Sequence, residues 1–350
     1  MTVSRPTYAS RESVKTRLDV KLTARADQVV DDAVEAAADQ ADRLCHRVFY
    51  PTVATRYFPW PDRKYPTAWI LWLDSDELIS VTSLTSGGTA IAAADYLLEP
   101  ANAGPPFTRI ELDRSGSAAF GGSNTPQRDV TVAGTFGYGA DEASAGTLAE
   151  VLDSSETSVD VSNSAAVGVG DLIRVDSERM LVTDKATVDT GQNTAGALTA
   201  SKADVSLTVA DGTQFGAGET VTVGSERMRV DEITGNVLTV TRAWDGSVLA
   251  AHGSGTDVYA PRTLTVARGA YGTTAATHTS SSAVYRHVAP AQVRRFVRAF
   301  AEDSVLQEFA GYARVVGSGD NERQASRAGV NAVRNELYRD YARKLRIRSV

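Results

Sequence analysis

A stretch of about 145 residues, 141–285, repeats parts of itself, and this repetition constrains the fold more than any other feature of the sequence. The segment Val167–Met180 aligns without a gap with Phe215–Met228, and both segments end in Ser-Glu-Arg-Met. A second pair, Leu238–Arg242 and Leu264–Arg268, aligns at a smaller offset along the chain. Alternating apolar and polar residues between Gly and Asn turns indicate that the repeated unit is built from β-strands.

The two different offsets indicate how the copies are arranged along the chain. Residues 206–259 hold both halves of the repeated unit in order, whereas the other copy has its first half at 158–184 and its second half at 264–285. This order predicts a complete small β-module inserted in a loop of a second copy of itself. Loop tips tolerate such insertions because the core backbone is left intact. We therefore predict an inserted all-β domain at 141–285 that contains two nested copies of one module.

The flanking segments carry a different pattern. Residues 1–50 and the segment that begins at Pro290 place apolar residues every three or four positions, which is typical of amphipathic helices. Short β-branched and aromatic runs separated by turn-forming residues fill 52–138 and indicate a small antiparallel β-region. The fold class predicted from these patterns is α+β, with a discontinuous helical core formed by 1–140 plus 286–350 and interrupted by the all-β insertion.

Charge is divided unevenly along the chain, whose formal net charge is −7. Residues 141–285 carry 9 basic and 19 acidic side chains, whereas the remainder carries 27 basic and 24 acidic ones. A step of this size suggests two modules with different surroundings.

Composition argues against several classes of function. No stretch approaches the ~18 consecutive apolar residues of a membrane span, and residues 1–10 lack the apolar core of a signal peptide. The single cysteine, Cys45, excludes an internal disulfide, and four histidines leave little material for a metal site. We therefore expect a protein made in a cytoplasm, with no cofactor, no bound metal and no membrane partner.

The repeated polar residues are the first candidates for chemistry. His252 and His278 occupy equivalent positions, but each lacks a second His or Cys at metal-ligand spacing, so we favour a repeated turn hydrogen bond over metal binding. The Glu-Arg pairs at 178–179 and 226–227 also recur, on strands whose neighbouring residues face opposite sides. This placement favours a turn-stabilising or interface role over acid–base catalysis.

The glycine motifs at 168–170 and 216–218 superficially resemble phosphate-binding loops. Neither is followed by a helix or by Gly-Lys-Ser/Thr, so the physical basis of such a loop is missing. No Gly-x-Ser-x-Gly nucleophile motif occurs in the sequence. We therefore expect no catalytic residue and no enzyme.

Several segments resemble the head-to-tail connector, or adaptor, proteins of long-tailed bacteriophages. The strand Leu78–Leu84 followed by Asp95–Leu98 looks like part of that family's sheet. The Ser-Glu-Arg-Met repeats are similar to β-modules that recur in phage neck and tail proteins. The wider matching segments are Tyr8–Arg47, Leu73–Asp113, Asp129–Tyr138 and Pro290–Leu345.

The resemblance implies a structural virion protein with a helical connector core, assembled in the host cytoplasm. It implies a homo-oligomeric ring, a dodecamer, that sits between the portal protein and the next neck or tail protein. DNA would pass through the channel without sequence-specific binding. An alternative from another class is a tail or baseplate protein whose acidic β-insert binds a host receptor or glycan.

The C-terminal residues are the best candidates for partner binding. One apolar stripe runs from Val330 to Leu345, and arginines lie on the opposite helical face. The segment 291–350 carries 12 basic and 7 acidic residues, which suits a solvated face, an acidic partner or DNA phosphates. A channel that lets DNA slide should not bind its phosphates strongly through basic side chains, so we favour contact with a partner over binding of DNA. The predicted partner-binding residues are Arg339, Tyr341, Arg343, Leu345, Arg346 and Arg348.

Overall fold

The computed structural model describes residues 3–18, 24–61, 67–309, 315–316, 323–324 and 327–343. Contacts divide the chain into two compact units. The first unit is Met1–Ala41, Glu142–Ala270 and Thr274–Leu337, and the second is Asp42–Asp141, Tyr271–Thr273 and Tyr338–Val350. The boundaries near 140 and 286 were predicted for domains that fold independently, which a division by contacts does not test. They stay a prediction.

Four α-helices are described. They are α1 (Arg11–Leu18), α2 (Ala24–Cys45), α3 (Ala291–Phe309) and α4 (Arg327–Tyr341). The hydroxyl oxygen of Ser10 accepts a hydrogen bond from the N–H of Ser13 at 3.3 Å, which caps the first turn of α1. Helix α1 packs against α3. The buried side chains of α3 recur at helical spacing, as the sequence predicts: Val293, Phe296, Val297, Ala301 and Val305.

Seven of the described strands lie in the second unit. They form two antiparallel sheets, with strand orders β1-β7-β3-β4 and β2-β6-β5. Phe58, Ile110 and Phe136 belong to one apolar core that draws side chains from both sheets. Burial alternates along β7 because one face of the strand packs on this core. The strands are β1 (Thr52–Phe58), β2 (Ile70–Trp72), β3 (Leu78–Ser86), β4 (Thr89–Ile91), β5 (Tyr96–Glu99), β6 (Arg109–Leu112) and β7 (Val130–Phe136).

Ten further strands form one antiparallel sheet in the first unit. Its order is β12-β15-β14-β13-β16-β11-β10-β17-β8, and β9 pairs with β16. The two-residue strands β18 (Val315–Val316) and β19 (Arg323–Gln324) pair with each other. The ten strands are β8 (Glu142–Thr147), β9 (Ser158–Asp160), β10 (Leu172–Val175), β11 (Glu178–Asn193), β12 (Ser206–Thr208), β13 (Thr220–Val223), β14 (Glu226–Thr234), β15 (Val237–Thr241), β16 (Asp257–Ala267) and β17 (Ala283–His287).

The repeated segments occupy equivalent places in this sheet. We call residues 158–184 with 264–285 the outer copy, and residues 206–259 the inner copy. Hairpin β10–β11 of the outer copy corresponds to β13–β14 of the inner copy. Each copy has a separate apolar core, one around Met180 and the other around Met228.

Strand β16 joins the two copies. Its residues 257–260 pair with 188–193 of β11, and its residues 263–267 pair with 181–186 of the same strand. The pair β13–β16 in the inner copy corresponds to β10–β17 in the outer copy. The inner copy therefore continues the hairpin that β11 and β16 begin in the outer copy.

The predicted fold class is wrong. The chain is mostly β, because seventeen of the described strands form three antiparallel sheets while only four α-helices are described. The region predicted as a small β-region beside a helical connector core holds two sheets with an apolar core of their own. The prediction underestimates this region because a long amphipathic helix gives a strong periodic signal, whereas strands of three to nine residues give weak ones.

Candidate interaction site and buried charge clusters

The outward surface at the end of α4 carries Tyr338 and Arg339. The Arg339 side chain is 73% exposed and donates a hydrogen bond to the adjacent Asp340 at 2.8 Å. Tyr338, which the sequence did not single out, is 58% exposed. Tyrosine and arginine are enriched among the residues that dominate binding energy at protein interfaces.

Tyr341, in contrast, lies in an aromatic cluster within the second unit. Its ring centroid is 6.0 Å from that of Phe49 and 5.6 Å from that of Tyr138. Phe49 is completely buried. Burial and the neighbouring Tyr341 raise the pKa of Tyr138. Tyr341 is therefore an internal anchor for the end of α4.

Arg343 is a second internal anchor. Its guanidinium donates hydrogen bonds to the carbonyl oxygens of Asp74 and Ser75, the latter at 2.8 Å. Its Nη2 also lies 3.5 Å from the buried carboxylate of Glu77, which Arg47 approaches at the same distance. Of the other predicted residues, Leu345, Arg346 and Arg348 lie outside the described residues.

A buried cluster of Glu226, Arg242 and His252 lies in the inner copy. Both carboxylate oxygens of Glu226 accept hydrogen bonds from the guanidinium of Arg242 at 2.8 Å, and His252 Nε2 lies 2.9 Å from Oε2. The main-chain N–H groups of Ala243 and Ala250 donate to the same carboxylate at 2.8 and 3.1 Å. The Glu226 and Arg242 side chains have no exposed surface.

The same cluster recurs in the outer copy around Glu178. Arg268 donates to both carboxylate oxygens at 2.7 and 2.9 Å, and His278 Nε2 lies 2.9 Å from Oε2. Gly269 and Ala276 supply the two main-chain donors, each at 2.9 Å. Each inner-copy contact to the carboxylate thus has an outer-copy counterpart, which explains why these residue types repeat in the sequence.

The two clusters differ in one contact. In the outer copy, the Asp176 carboxylate lies 2.7 Å from His278 Nδ1. The equivalent position in the inner copy is Gly224, which has no side chain to offer His252. The imidazole of the outer copy is therefore flanked by two carboxylates and that of the inner copy by one.

Electrostatics indicate that both clusters are structural. Burial opposes ionisation of Glu178 and Glu226, but the hydrogen bonds from arginine, histidine and main-chain N–H groups outweigh it and lower the pKa of each to about 2. A carboxylate with such a pKa remains ionised at neutral pH and is poorly matched to proton transfer there.

Sequence reasoning selected the glutamates and histidines of these clusters but missed Arg242 and Arg268. Both arginines stand in the repeated Leu-Thr-Val-x-Arg motif, so pairing each repeated acid with a repeated base would have found them. The neighbouring Arg227 has a different partner, since it pairs with Asp245 at 2.6 Å.

A polar cleft of about 770 Å³ lies in the first unit. Its lining includes Lys185, Arg286 and one glycine from each repeated motif, Gly168 and Gly218. Burial raises the pKa of the lining residue Asp171 to about 6, although Arg286 lies 3.8 Å from it. Within the described ranges, no group of three or more His, Cys, Asp or Glu side chains is arranged to hold a metal ion.

Comparison with known proteins assigns no family. No protein-family model matches the sequence, and no curated protein matches it significantly. Among the described helices, none is long and apolar enough to cross a bilayer. Functional inference for this chain therefore depends on its residues and their contacts.

Proposed function

We propose that the chain is a non-enzymatic structural protein of a phage neck, one subunit of a head-to-tail adaptor ring. It joins the portal protein to the next neck or tail protein and lets DNA pass. The observation that carries the proposal is the end of α4, where Tyr341 and Arg343 are anchored while Tyr338 and Arg339 face outward. An element held rigidly in this way loses less conformational entropy on docking.

The buried charge clusters support the non-enzymatic part of the proposal. Glu178 and Glu226 are ionised, fully hydrogen-bonded and closed to solvent, so they serve to hold the modules together. Buried charged groups are retained in proteins when they are paired and hydrogen-bonded, as these are.

The proposal is tested by co-sedimentation with purified portal rings. The double variant Tyr338→Ala/Arg339→Glu should fold normally, because both side chains are exposed, but bind portal rings at least about tenfold more weakly. The matched control is Lys202→Glu, which reverses one exposed charge in the first unit and should bind like the unaltered chain.

Two outcomes would contradict the proposal. Unchanged binding by the double variant would exclude the end of α4 as the contact. Failure of the unaltered chain to join portal rings, together with adsorption to host cells, would favour the receptor-binding alternative.

A further inference from the structure

The glycine motifs of the two copies are held by equivalent hydrogen bonds. We call residues 168–170 the outer motif and residues 216–218 the inner motif. In the outer motif, the N–H of the last glycine donates to the carbonyl oxygen of Val182 at 2.9 Å. In the inner motif, the N–H of the last glycine donates to the carbonyl oxygen of Val230 at 2.7 Å. The remaining main-chain groups of the two motifs can therefore be compared one by one.

In the outer motif, these groups bind the segment that leads into α1. The N–H of Val169 donates to the carboxylate of Glu12 at 3.0 Å, and its carbonyl oxygen accepts from the N–H of Arg11 at 3.1 Å. The carbonyl oxygen of Gly170 accepts from the N–H of Thr7 at 3.0 Å. The outer motif is buried as a result. It is thus a docking site for an extended segment that enters a helix with a glutamate in its first turn.

The inner motif has the same groups but is covered only at its first glycine. A Cβ at Gly216 would lie 2.5 Å from the Asn163 side chain, which takes the place that Ser10 has in the outer motif. Ala217 and Gly218 are exposed. Among the described residues, none hydrogen-bonds to the N–H of Ala217 or to the carbonyl oxygens of Ala217 and Gly218. The groups that hold residues 7–12 in the outer copy are therefore accessible in the inner copy.

Gly218 also lines the polar cleft of about 770 Å³, a volume within the range of ligand sites. Of its basic lining residues, Lys185 donates to the carbonyl oxygens of Ser164 and Val167 at 2.9 and 2.7 Å, and Lys202 is exposed. Neither lysine forms an ion pair within the described ranges. The acidic lining residues other than the docked glutamate each lie 2.6–3.8 Å from a basic group: Asp27, Asp171, Glu219 and Asp245. The charge of the two lysines favours an acidic ligand.

We propose that Ala217, Gly218 and the adjoining cleft bind a segment of a partner protein that resembles residues 7–12 of this chain. Its acidic side chain accepts from the N–H of Ala217, and its main-chain N–H groups donate to the carbonyl oxygens of Ala217 and Gly218. The partner is a different protein, because in each copy of this chain residues 7–12 already bind the outer motif. This site goes beyond the proposed adaptor function, whose contact lies at the end of α4.

The probe is a fluorescent peptide that contains residues 3–16 of this chain, and its binding to the full chain is measured by anisotropy. Ser10→Gly in the peptide leaves room for Asn163, and glycine still serves at a helix N-cap. The outer motif stays occupied, because the tethered segment has a high effective concentration there. The peptide should bind saturably. Adding Glu12→Ala to the peptide should weaken binding at least about tenfold, because it removes a charge-assisted hydrogen bond.

Gly218→Ala in the full chain tests the position of the bound peptide. A Cβ at Gly218 meets nothing within 4 Å in the free chain, whereas one at Gly170 would lie 2.1 Å from the hydroxyl oxygen of Thr7. A peptide seated in the same way on the inner motif would meet the same clash, so binding should weaken at least about tenfold. The matched control is Gly235→Ala in the same copy, which also puts alanine at a positive φ with nothing within 4 Å and should bind normally.

A second variant keeps the test valid if alanine at position 218 impairs folding. Lys202→Glu changes an exposed side chain of the cleft, so it should fold normally and weaken peptide binding about threefold at low salt. Equal binding to Gly218→Ala and the unaltered chain, or absence of binding to the unaltered chain, would overturn the proposal. Self-association of the unaltered chain that Gly218→Ala abolishes would identify a second copy as the occupant and would overturn the assignment to a different protein. None of these measurements involves portal rings, so their failure is distinct from failure of the adaptor proposal.

Discussion

Single residues decide how the repeated module holds together, because each copy depends on one buried carboxylate. Glu178 and Glu226 each accept bonds from a guanidinium, an imidazole and two main-chain N–H groups. These bonds tie the start of one strand to the turn that follows another, so the carboxylate fixes parts of the module that are distant in sequence.

Glu226→Gln should destabilise the protein by about 3–5 kcal/mol, because it leaves the guanidinium of Arg242 buried without its counter-charge. The measurement is the free energy of unfolding in urea. The matched control is Glu232→Gln, an exposed glutamate on the same strand, which should change stability by less than about 0.5 kcal/mol. Equal effects of the two substitutions would contradict a structural role for the cluster.

The same glutamates predict how stability responds to acid. Their pKa is about 2 in the folded protein against an ordinary 4.5, so folding favours the ionised form. The resulting stability is present above pH 4.5 and is lost as the pH falls towards 2, up to about 3 kcal/mol for each glutamate. Unfolding free energies measured at pH values about one unit apart, between pH 5 and pH 2, should fall less steeply in the single variant Glu226→Gln than in the unaltered chain. Parallel profiles would refute this linkage.

At the scale of elements, the glycine motifs of the two copies share a backbone but differ in what covers them. Gly170 and Gly218 occupy equivalent positions, with φ of +92° and +90°. In the outer copy, the carbonyl oxygen of Gly170 accepts a hydrogen bond from Thr7 N–H at 3.0 Å. A side chain at Gly218 would meet nothing within 4 Å. The outer motif therefore holds the segment before α1, which the inner motif does not.

This difference makes Gly218→Ala a control for Gly170→Ala. Both substitutions put alanine at a positive φ, but a Cβ at position 170 would come within 2.1 Å of the Thr7 hydroxyl oxygen. Gly170→Ala should therefore cost roughly 1–3 kcal/mol more than Gly218→Ala. Amide hydrogen exchange should accelerate in the first variant only, both at Thr7 and at Arg11, whose N–H donates to the carbonyl oxygen of Val169 at 3.1 Å. Equal exchange in both would show that the glycine does not hold this segment.

Sequence reasoning reached the repeated elements and selected Tyr341 and Arg343, but it did not show that these residues anchor α4, for a physical reason. Repeated side chains align at two constant offsets, so strands, turns and acids of the modules can be read from one chain. Arg343, in contrast, is held by a carbonyl oxygen 269 residues away, and a carbonyl leaves no mark in a sequence. The exposure of Tyr338 likewise depends on how the end of α4 packs against residues that are distant in sequence. The predicted fold class was wrong because short strands are also buried by partners that are distant in sequence.

For the whole molecule, the nested copies predict that the inner one can be removed. Replacing residues 189–259 by an Asn-Gly turn would join Val188 to Ala260, which already face each other across the β11–β16 ladder. The outer core around Met180 is separate and should remain, so the shortened chain should unfold cooperatively in a circular dichroism melt. The deletion removes Glu219, the ion-pair partner of Arg262. The Arg262 side chain, which remains, then becomes accessible to water. A shortened chain without a melting transition would show that the copies fold only together.

The meeting of Val188 and Ala260 also has an evolutionary consequence. The chain leaves the outer copy and returns to it at neighbouring residues. This point can therefore accept the insertion of any domain whose two termini lie side by side. Each inserted domain lengthens the β11–β16 ladder without disturbing the strands that are already present. The nested copies of the present chain then represent one such insertion, and a further insertion of the same kind would add a new surface.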